Sequence, residues 1–362
     1  MENARSRDAD PGRVSSSRSA RSPHGSGRFS CLGGRMEYVK PWLSIGEQIE
    51  KLASKGVRIG DRGVAGSVLR EVGYYRLTGY LYPFRESSFE IDDDGRRHIE
   101  VQDRYRAGTE LAAAEALIAF DRRLRLLVIE GVERIEVAVR TQVGHVLGEH
   151  APFAHEDGSL FTEAFTAHRA DASDGSSPHT AWLQRVRERQ DSSDESFVAH
   201  FRTKYDDRMP IWALTEILEL GHLARLYGGL RNDVATRIAR EFGVPTKKTM
   251  LSWLASVNYV RNVAAHHARL FNRKLVVVPK RPRSGAVPLL AHLSGTDAPK
   301  QFGVYNTLAV MAYLLRSVPS DHDWAERVAA LLGAFPSNEH LDLSSMGVGA
   351  GWLDHALWTG PH

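Results

Sequence analysis

The chain has 362 residues, of which 42% are hydrophobic and 25% are charged, and its formal net charge is +3. These values are ordinary for a globular protein and exclude a low-complexity or membrane-embedded chain, while the slight basicity permits a nucleic-acid partner without requiring one. The single cysteine, Cys31, excludes an intrachain disulfide framework and a cysteine-based zinc site. No apolar run suits a membrane span or a secretory signal, so we expect a cytoplasmic protein.

Residues 1–35 differ in composition from the rest of the chain. They are rich in Arg, Ser and Gly and nearly free of large apolar side chains, so they cannot bury enough surface to offset the entropy of ordering. We predict a disordered extension that precedes a folded body starting near Met36. A basic arm that binds RNA is the alternative interpretation.

Helical patterns begin after this extension. Apolar residues at helical spacing from Ile45 predict a first helix, and Asp61 is the predicted N-cap of a second. An aromatic-rich segment, VGYYRLTGYLYPFRE, follows at 72–86, and a turn is predicted at 91–98. The sequence therefore predicts a small N-terminal helical unit at 36–108 that resembles a helix-turn-helix.

The remainder of the chain also favours helices. Residues 110–147 predict one long helix, or two with a break near Gly131, and another strong helix is predicted from about Thr249 to Leu270. Further helices are predicted at 180–190, 196–242, 301–317 and 321–333. We predict an all-α fold with at most a minor hairpin, in which 109–345 form the main helical domain and 346–362 a tail that packs on the body.

The stretch SWLASVNYVRNVAAHHARLFNR, at 252–273, has unusual polar residues. No acidic residue occurs between Thr249 and Lys280, although a helix surface normally mixes both charges. Arg261 and His266 are five positions apart, which separates them by about 140° around a helix. They can therefore border one groove without sharing a stripe, and the spacing does not decide whether His266 or His267 points the same way as Arg261.

An arginine and a histidine together suit RNA transesterification. A histidine can exchange a proton with a ribose hydroxyl or a leaving oxygen near neutral pH, and an arginine can stabilise the charge on the phosphate. This chemistry needs no metal, and a two-fold dimer would bring a second pair of residues into the cleft. The spacing is weak support by itself, since Arg140 and His145 repeat it within the chain.

Several segments resemble a known family. The segment RNVAAHH resembles the catalytic motif of the HEPN superfamily, and the chain is similar to the abortive-infection (AbiD/AbiF-like) proteins of bacteria over about residues 40–355. The resemblance implies a HEPN-like helical bundle, a role in phage defence, a dimeric or pseudo-dimeric site, and RNA cleavage through Arg261 and His266. It is carried by the segments KPWLSIGEQIEKLASKGVRI, YYRLTGYLYPF, IEGVERIEVAVRT, SFVAHFRTKYDDRMPIWALTEILELGHLARLY, SWLASVNYVRNVAAHHARLFNR and MGVGAGW.

Other residues near the motif are candidates for supporting roles. Asn262 could orient His266 or bind phosphate, or it could be an ordinary surface residue. Basic and polar side chains that follow the motif are candidate RNA contacts, namely Arg269, Asn272 and Arg273. Tyr75 and Arg76 could stack on bases, although packing between the N-terminal unit and the body is the favoured interpretation.

The sequence thus leads to three functional hypotheses. The first is a metal-independent endoribonuclease without a cofactor, which acts as a homodimer on RNA during phage infection. The second is a module that binds a structured non-coding RNA, a tRNA or an mRNA without cutting it. The third, ranked last, is a DNA-binding regulator with a recognition helix at 61–72, because that helix has few side chains able to read base edges.

Overall fold

A computed structural model of the protein describes residues 40–92, 94–95, 97–168, 175–283, 285–295, 298–318 and 323–359. The predicted disordered extension at 1–35 lies outside these residues. The chain divides into two units, residues 1–42 and residues 43–362, and the second unit contains every helix and strand named below.

Three short helices open the second unit: α1 (Ile45–Ser54), α2 (Arg62–Val72) and α3 (Tyr74–Leu81). The predicted N-cap of α2 is confirmed, because the Asp61 carboxylate accepts a hydrogen bond from the Val64 N–H at 2.9 Å. Gly73 separates α2 from α3 with a φ of +83°, a backbone conformation that glycine adopts without strain.

The predicted turn at 91–98 joins the two strands of an antiparallel hairpin, β1 (Arg85–Ile91) and β2 (Arg97–Tyr105). The register places Phe89 opposite Ile99. The described residues are otherwise mostly helical, in agreement with the predicted all-α class apart from this hairpin.

A single long helix, α4 (Leu111–Gly148), runs through the core. Of the two alternatives left open by the sequence, the unbroken helix is the one observed. Gly131 lies within the helix, where its lack of a side chain makes room for a ring from a distant part of the chain. A Cβ atom at this position would lie 2.7 Å from the Trp324 ring, so the absence of a side chain lets that ring lie against α4. The Trp324 indole also donates a hydrogen bond to the Leu127 carbonyl at 2.8 Å.

The other helices surround α4 and supply the rest of the apolar core. They are α5 (Glu163–Thr166), α6 (Pro178–Asp191), α7 (Ser196–Lys204), α8 (Ile211–Leu214), α9 (Leu220–Gly229), α10 (Asn232–Glu241), α11 (Lys247–Ala265), α12 (Val304–Leu315), α13 (Trp324–Gly333) and α14 (Ala356–Thr359). Short 3₁₀ segments lie at Tyr82–Phe84, Gly158–Leu160, Thr215–Ile217, Pro288–Leu293, Leu343–Met346 and Trp352–Asp354. Near the C-terminus, the buried Trp358 indole donates to the Tyr305 hydroxyl at 3.0 Å.

The end of α11 differs from the sequence prediction. The helix stops at Ala265, five residues before the predicted end near Leu270. His267 and Arg269 therefore lie on the turn that follows the helix, and helical angles do not describe their directions.

Candidate functional site

The turn that ends α11 is a Schellman motif. The N–H of His267 donates to the Ala264 carbonyl, and the N–H of Ala268 donates to the Val263 carbonyl, both at 3.0 Å. His267 occupies the left-handed position with a φ of +55°, where glycine is usual. A residue other than glycine carries backbone strain in this position, and such strain persists only where the surroundings impose it.

Arg261, Asn262 and His266 lie at the C-terminal end of α11. The guanidinium of Arg261 donates to the Asn262 side-chain oxygen at 3.2 Å, which draws the arginine towards the face that bears Asn262. His266 follows Asn262 by four positions, and its N–H closes a helical hydrogen bond to the Asn262 carbonyl at 3.0 Å. Residues four apart share a helix face, so Asn258, Asn262 and His266 form one polar row.

A pocket of about 290 Å³ opens beside this row, and we call it the Asn262 pocket. Its walls come from three helices: Arg185 from α6, His222 and Arg225 from α9, and Asn258 and Asn262 from α11. Two arginines and two carboxamides can bind a phosphate group through charge-assisted hydrogen bonds. Glu219 lines the same pocket and is an acid in an otherwise basic and neutral surface.

His222 is the histidine of the Asn262 pocket. Burial lowers its pKa, Glu219 opposes this shift, and the positive charges of nearby arginines lower the pKa further. Its Nδ1 atom is buried without a hydrogen-bond partner, and its backbone carbonyl is held by the Trp182 indole at 3.0 Å. The imidazole is therefore neutral near pH 7 and able to accept a proton.

Sequence patterns did not single out the Arg185, His222 and Arg225 side chains of this pocket. One signal was present, since His222 and Arg225 lie three positions apart in the segment GHLARL and share a helix face. Arg185 gave no such signal, because α6 meets α9 and α11 only through the tertiary fold.

A buried carboxylate, Asp121 on α4, holds the residues that follow the motif. One of its oxygens accepts the N–H groups of Leu270 and Phe271, at 3.0 and 2.6 Å. The other oxygen accepts the Tyr80 hydroxyl at 2.6 Å and pairs with the Arg125 guanidinium. Burial, followed by the charge of Asp121, raises the pKa of Tyr80 to about 12. Asp121 was also missed, although an acid at a core position of an apolar helix face was visible in the sequence.

Two of the arginines predicted to contact RNA donate hydrogen bonds to backbone carbonyls. Arg76 on α3 donates to the His267 carbonyl at 2.7 Å, and Arg269 donates to the Gly79 carbonyl. Burial lowers the pKa of Arg269. Both arginines therefore join α3 to the turn after α11. Tyr75 lies on α3 with 76% of its surface exposed, so its ring is accessible to a base.

Asn272 and Arg273 lie further along the same turn. Asn272 has a φ of +46°, and the Arg273 guanidinium donates to the Tyr259 hydroxyl at 3.3 Å and to the Arg269 carbonyl at 3.5 Å. Both residues line a second pocket on the side of α12. The motif is thus flanked by two pockets with basic walls.

The contacts of Arg140 differ from those of Arg261, although each arginine precedes a histidine by five positions. Arg140 pairs with Glu136 and donates to the Leu218 carbonyl at 2.9 Å, so it joins α4 to the segment before α9. His145 is largely exposed and lies 3.5 Å from the Glu149 carboxylate. Arg140, the arginine of this second Arg-x4-His pair, therefore has a structural role.

Clusters of metal-ligating side chains and membrane-spanning helices are both absent from the described residues. Within the ranges given above, His, Cys, Asp and Glu side chains form no group of three or more that could ligate a metal ion. None of the described helices combines the length and the apolar character needed to cross a bilayer.

Comparison with known proteins identifies the family. A family model described as Abi-like protein matches residues 67–272, which is more than half of the chain. The chain therefore belongs to the Abi-like protein family, and the resemblance to the abortive-infection proteins is confirmed. Membership supports a role in abortive infection, a form of phage defence. No curated protein and no solved structure matches the chain.

Proposed function

We propose that this Abi-like protein acts in phage defence as a metal-independent endoribonuclease of the HEPN type. The observation that carries the proposal is the geometry at the end of α11. There Arg261 donates a hydrogen bond to the Asn262 side chain, and His266 lies on the same helix face as Asn262. The adjoining Asn262 pocket adds two arginines and a neutral histidine within the same surface.

The proposed reaction is cleavage by an internal nucleophile. A ribose 2′-OH attacks the neighbouring phosphorus, the bond to the 5′-oxygen breaks, and the products are a 2′,3′-cyclic phosphate and a 5′-OH end. The 2′-OH proton leaves to a base and a proton is returned to the 5′-oxygen, so the step is balanced without a metal or cofactor. Arg261 stabilises the charge that builds on the phosphate oxygens.

Two histidines divide the proton transfers in this proposal. His222 is neutral near pH 7 because burial and the nearby arginines disfavour its protonated form, so it suits the base that takes the 2′-OH proton. His266 is exposed and supplies the proton to the leaving oxygen. Arg185 and Arg225 bind the phosphates on either side of the cleaved bond.

The RNA is proposed to approach over α3 and the turn after α11. Tyr75 is exposed there, while Arg76 and Arg269 fix the turn through backbone carbonyls. A homodimer would place two such surfaces on one RNA, which raises the effective concentration of cationic contacts. Structured non-coding RNA, tRNA and mRNA are all compatible with this surface.

The test is RNA cleavage by purified protein in the presence of EDTA, with the new ends sequenced. Arg261→Ala and His266→Ala are expected to lower cleavage by about 100-fold or more, in the range typical of lost acid–base or oxyanion-stabilising groups. His145→Ala is the matched control, because His145 is exposed and has the same spacing from an arginine. Unchanged cleavage by both motif variants would refute the mechanism.

His267→Gly separates the two adjacent histidines. Because His267 has a positive φ of +55°, a glycine relieves strain of roughly 1 kcal/mol and should keep or raise the free energy of unfolding. The backbone carbonyl that binds Arg76 is retained. If His266 carries the chemistry, His267→Gly cleaves RNA at the wild-type rate. A stable His267→Gly protein that does not cleave RNA would show that His267, and not His266, donates the proton.

RNA binding without cleavage is the second candidate, and the Asn262 pocket favours it because its arginines can hold phosphate without any proton transfer. In that case the wild-type protein binds RNA tightly, and neither purified protein nor infected cells yield new RNA ends. Phage plating on cells that express the wild type and the motif variants distinguishes the two functions. Loss of protection in His266→Ala, while that variant still binds RNA, would favour the enzyme, whereas protection that is lost only together with RNA binding would favour the binding module.

A further inference from the structure

A second pocket, of about 500 Å³, is lined by the residues that follow the turn after α11, and we call it the Phe302 pocket. Its walls come from three separate segments, namely 272–274 after α11, 300–303 before α12, and 345–347 near the C-terminus. Its volume is in the range of about 300–1,000 Å³ that holds a small organic ligand. Most of the pocket lies beyond the residues matched by the family model.

The floor of the pocket is a close contact between two glycines. A Cβ atom on Gly303 would lie 2.5 Å from the Met346 carbonyl oxygen and 2.8 Å from the Gly347 Cα atom. Gly347 has a φ of +82°, which other residues rarely adopt. The two segments can therefore approach this closely only because both positions lack a side chain.

Hydrogen bonds fix the walls as well. The Leu275 N–H donates to the Phe302 carbonyl at 3.0 Å, which joins the first two segments. The Asn306 side chain donates to the Lys300 carbonyl at 2.8 Å. Arg273 is tied to Tyr259 on α11 at 3.3 Å, two positions before Arg261. The pocket is thus preformed and anchored to the helix that carries the motif.

The side chains of the pocket combine an exposed ring with positive charge. Phe302 is 47% exposed, and the Lys274 ammonium lies 5.1 Å from the centre of its ring. Arg273 and Lys300 line the same pocket, and no acidic residue is among its lining residues. An exposed aromatic ring interleaved with cations is the arrangement that binds single-stranded nucleic acid, since every base has a face that stacks and every linkage has a charge.

We propose that the Phe302 pocket binds one nucleotide of a single-stranded RNA, with the base stacked on Phe302 and the phosphate near Arg273, Lys274 and Lys300. This inference rests on the proposed function, because it takes RNA as the ligand of the neighbouring motif. The strand then passes from the pocket over the turn that carries Asn272 towards His266. The pocket sets the position of the strand and takes no part in bond breaking.

The test measures binding separately from cleavage. The probe is a fluorescently labelled eight-nucleotide 2′-O-methyl RNA, which cannot be cleaved through its 2′-oxygens, and the readout is anisotropy with the full-length protein. Phe302→Ala is expected to raise the Kd about tenfold, as the loss of one stacked base does. Phe302→Trp keeps a ring for stacking and should restore binding. Lys300→Gln should weaken binding and lower the slope of log Kd against log salt by about one.

Phe89→Ala is the matched control, because Phe89 is exposed to a similar extent on the hairpin and lies outside the pocket lining. Since Phe302 is half exposed, its replacement should leave the thermal unfolding temperature near that of the wild type. Wild-type binding by Phe302→Ala would overturn the proposal. So would equal affinity of the wild type for the oligonucleotide and for free adenosine monophosphate, because the pocket would then serve a free nucleotide.

Failure of this proposal is distinguishable from failure of the proposed function. If the Phe302 pocket does not bind RNA, Phe302→Ala binds the probe normally while Arg261→Ala and His266→Ala still abolish cleavage of ordinary RNA. If the protein is not a ribonuclease, neither the wild type nor any variant cuts RNA, while the difference between Phe302→Ala and Phe302→Trp in binding the 2′-O-methyl probe remains.

Discussion

Replacing Tyr80 by phenylalanine should destabilise the protein through one identified hydrogen bond. The Tyr80 hydroxyl is buried and donates to the Asp121 carboxylate at 2.6 Å. Hydrogen bonds to a charged group contribute about 1.5–3 kcal/mol. Asp121 keeps its contacts with Arg125 and with two backbone N–H groups, so the variant leaves no unpaired buried charge. We therefore expect the free energy of unfolding to fall by about 2 kcal/mol.

Urea unfolding followed by circular dichroism measures this change. With a slope of about 3 kcal/mol per molar urea, the midpoint should fall by about 0.7 M. Tyr227→Phe is the matched control, because the Tyr227 hydroxyl is equally buried and donates to a neutral acceptor, the Ala235 carbonyl, at 3.0 Å. That control should lose about 1 kcal/mol. A loss for Tyr80→Phe no greater than that for Tyr227→Phe would refute the charge-assisted assignment.

Three further predictions concern stability. Asp121→Asn should cost more than Tyr80→Phe, about 3–5 kcal/mol in urea unfolding, because it leaves a buried guanidinium unpaired. Gly131→Ala should lower the thermal midpoint, because its Cβ would meet the Trp324 ring. Gly79→Ala in α3 should raise the midpoint, because its Cβ would meet no atom within 4 Å and alanine favours the helix. Equal shifts of the two midpoints would contradict the packing argument. Burial lowers the pKa of His155 to about 4, so the unfolded chain takes up a proton first as the pH falls from 6.5 to 4, and stability should drop by up to about 3 kcal/mol over that window. His155→Phe, which keeps the ring, should flatten this part of the stability–pH curve.

Much of the fold was predictable because its signals are local. Apolar periodicity predicts the helices of the core, and a side-chain cap such as Asp61 marks a helix start within three residues of the chain. The continuity of α4 through Gly131 was open at the sequence level, because the ring that lies there comes from Trp324, almost two hundred positions later. A glycine inside a helix indicates either a break or a close neighbour, and only the tertiary structure distinguishes them.

The candidate site was predictable to a smaller extent. Arg261, Asn262 and His266 are neighbours in sequence, so their common location follows from any helical model. His222, Arg185 and Arg225 come from helices with no sequence relation to α11. Their convergence depends on the packing of α6 and α9, which the backbone carbonyl of His222 and the Trp182 indole help to fix.

The early end of α11 shows why the two family segments YYRLTGY and RNVAAHH occur together. In a continuing helix, the N–H groups of Leu270 and Phe271 would bond to the carbonyls of His266 and His267. Asp121 accepts both N–H groups, and Arg76 binds the His267 carbonyl. Tertiary partners thus replace the helical hydrogen bonds.

Tyr80 orients Asp121, and Arg269 returns to the Gly79 carbonyl, so the first segment fixes the place where the second leaves the helix. A helix that continued to Leu270 would keep His267 in the right-handed conformation and carry Arg269 away from α3. The position of the motif histidines therefore depends on contacts made by residues about 190 positions earlier. It follows that Arg76→Ala, far from the motif in sequence, should alter any activity that depends on His266 or His267.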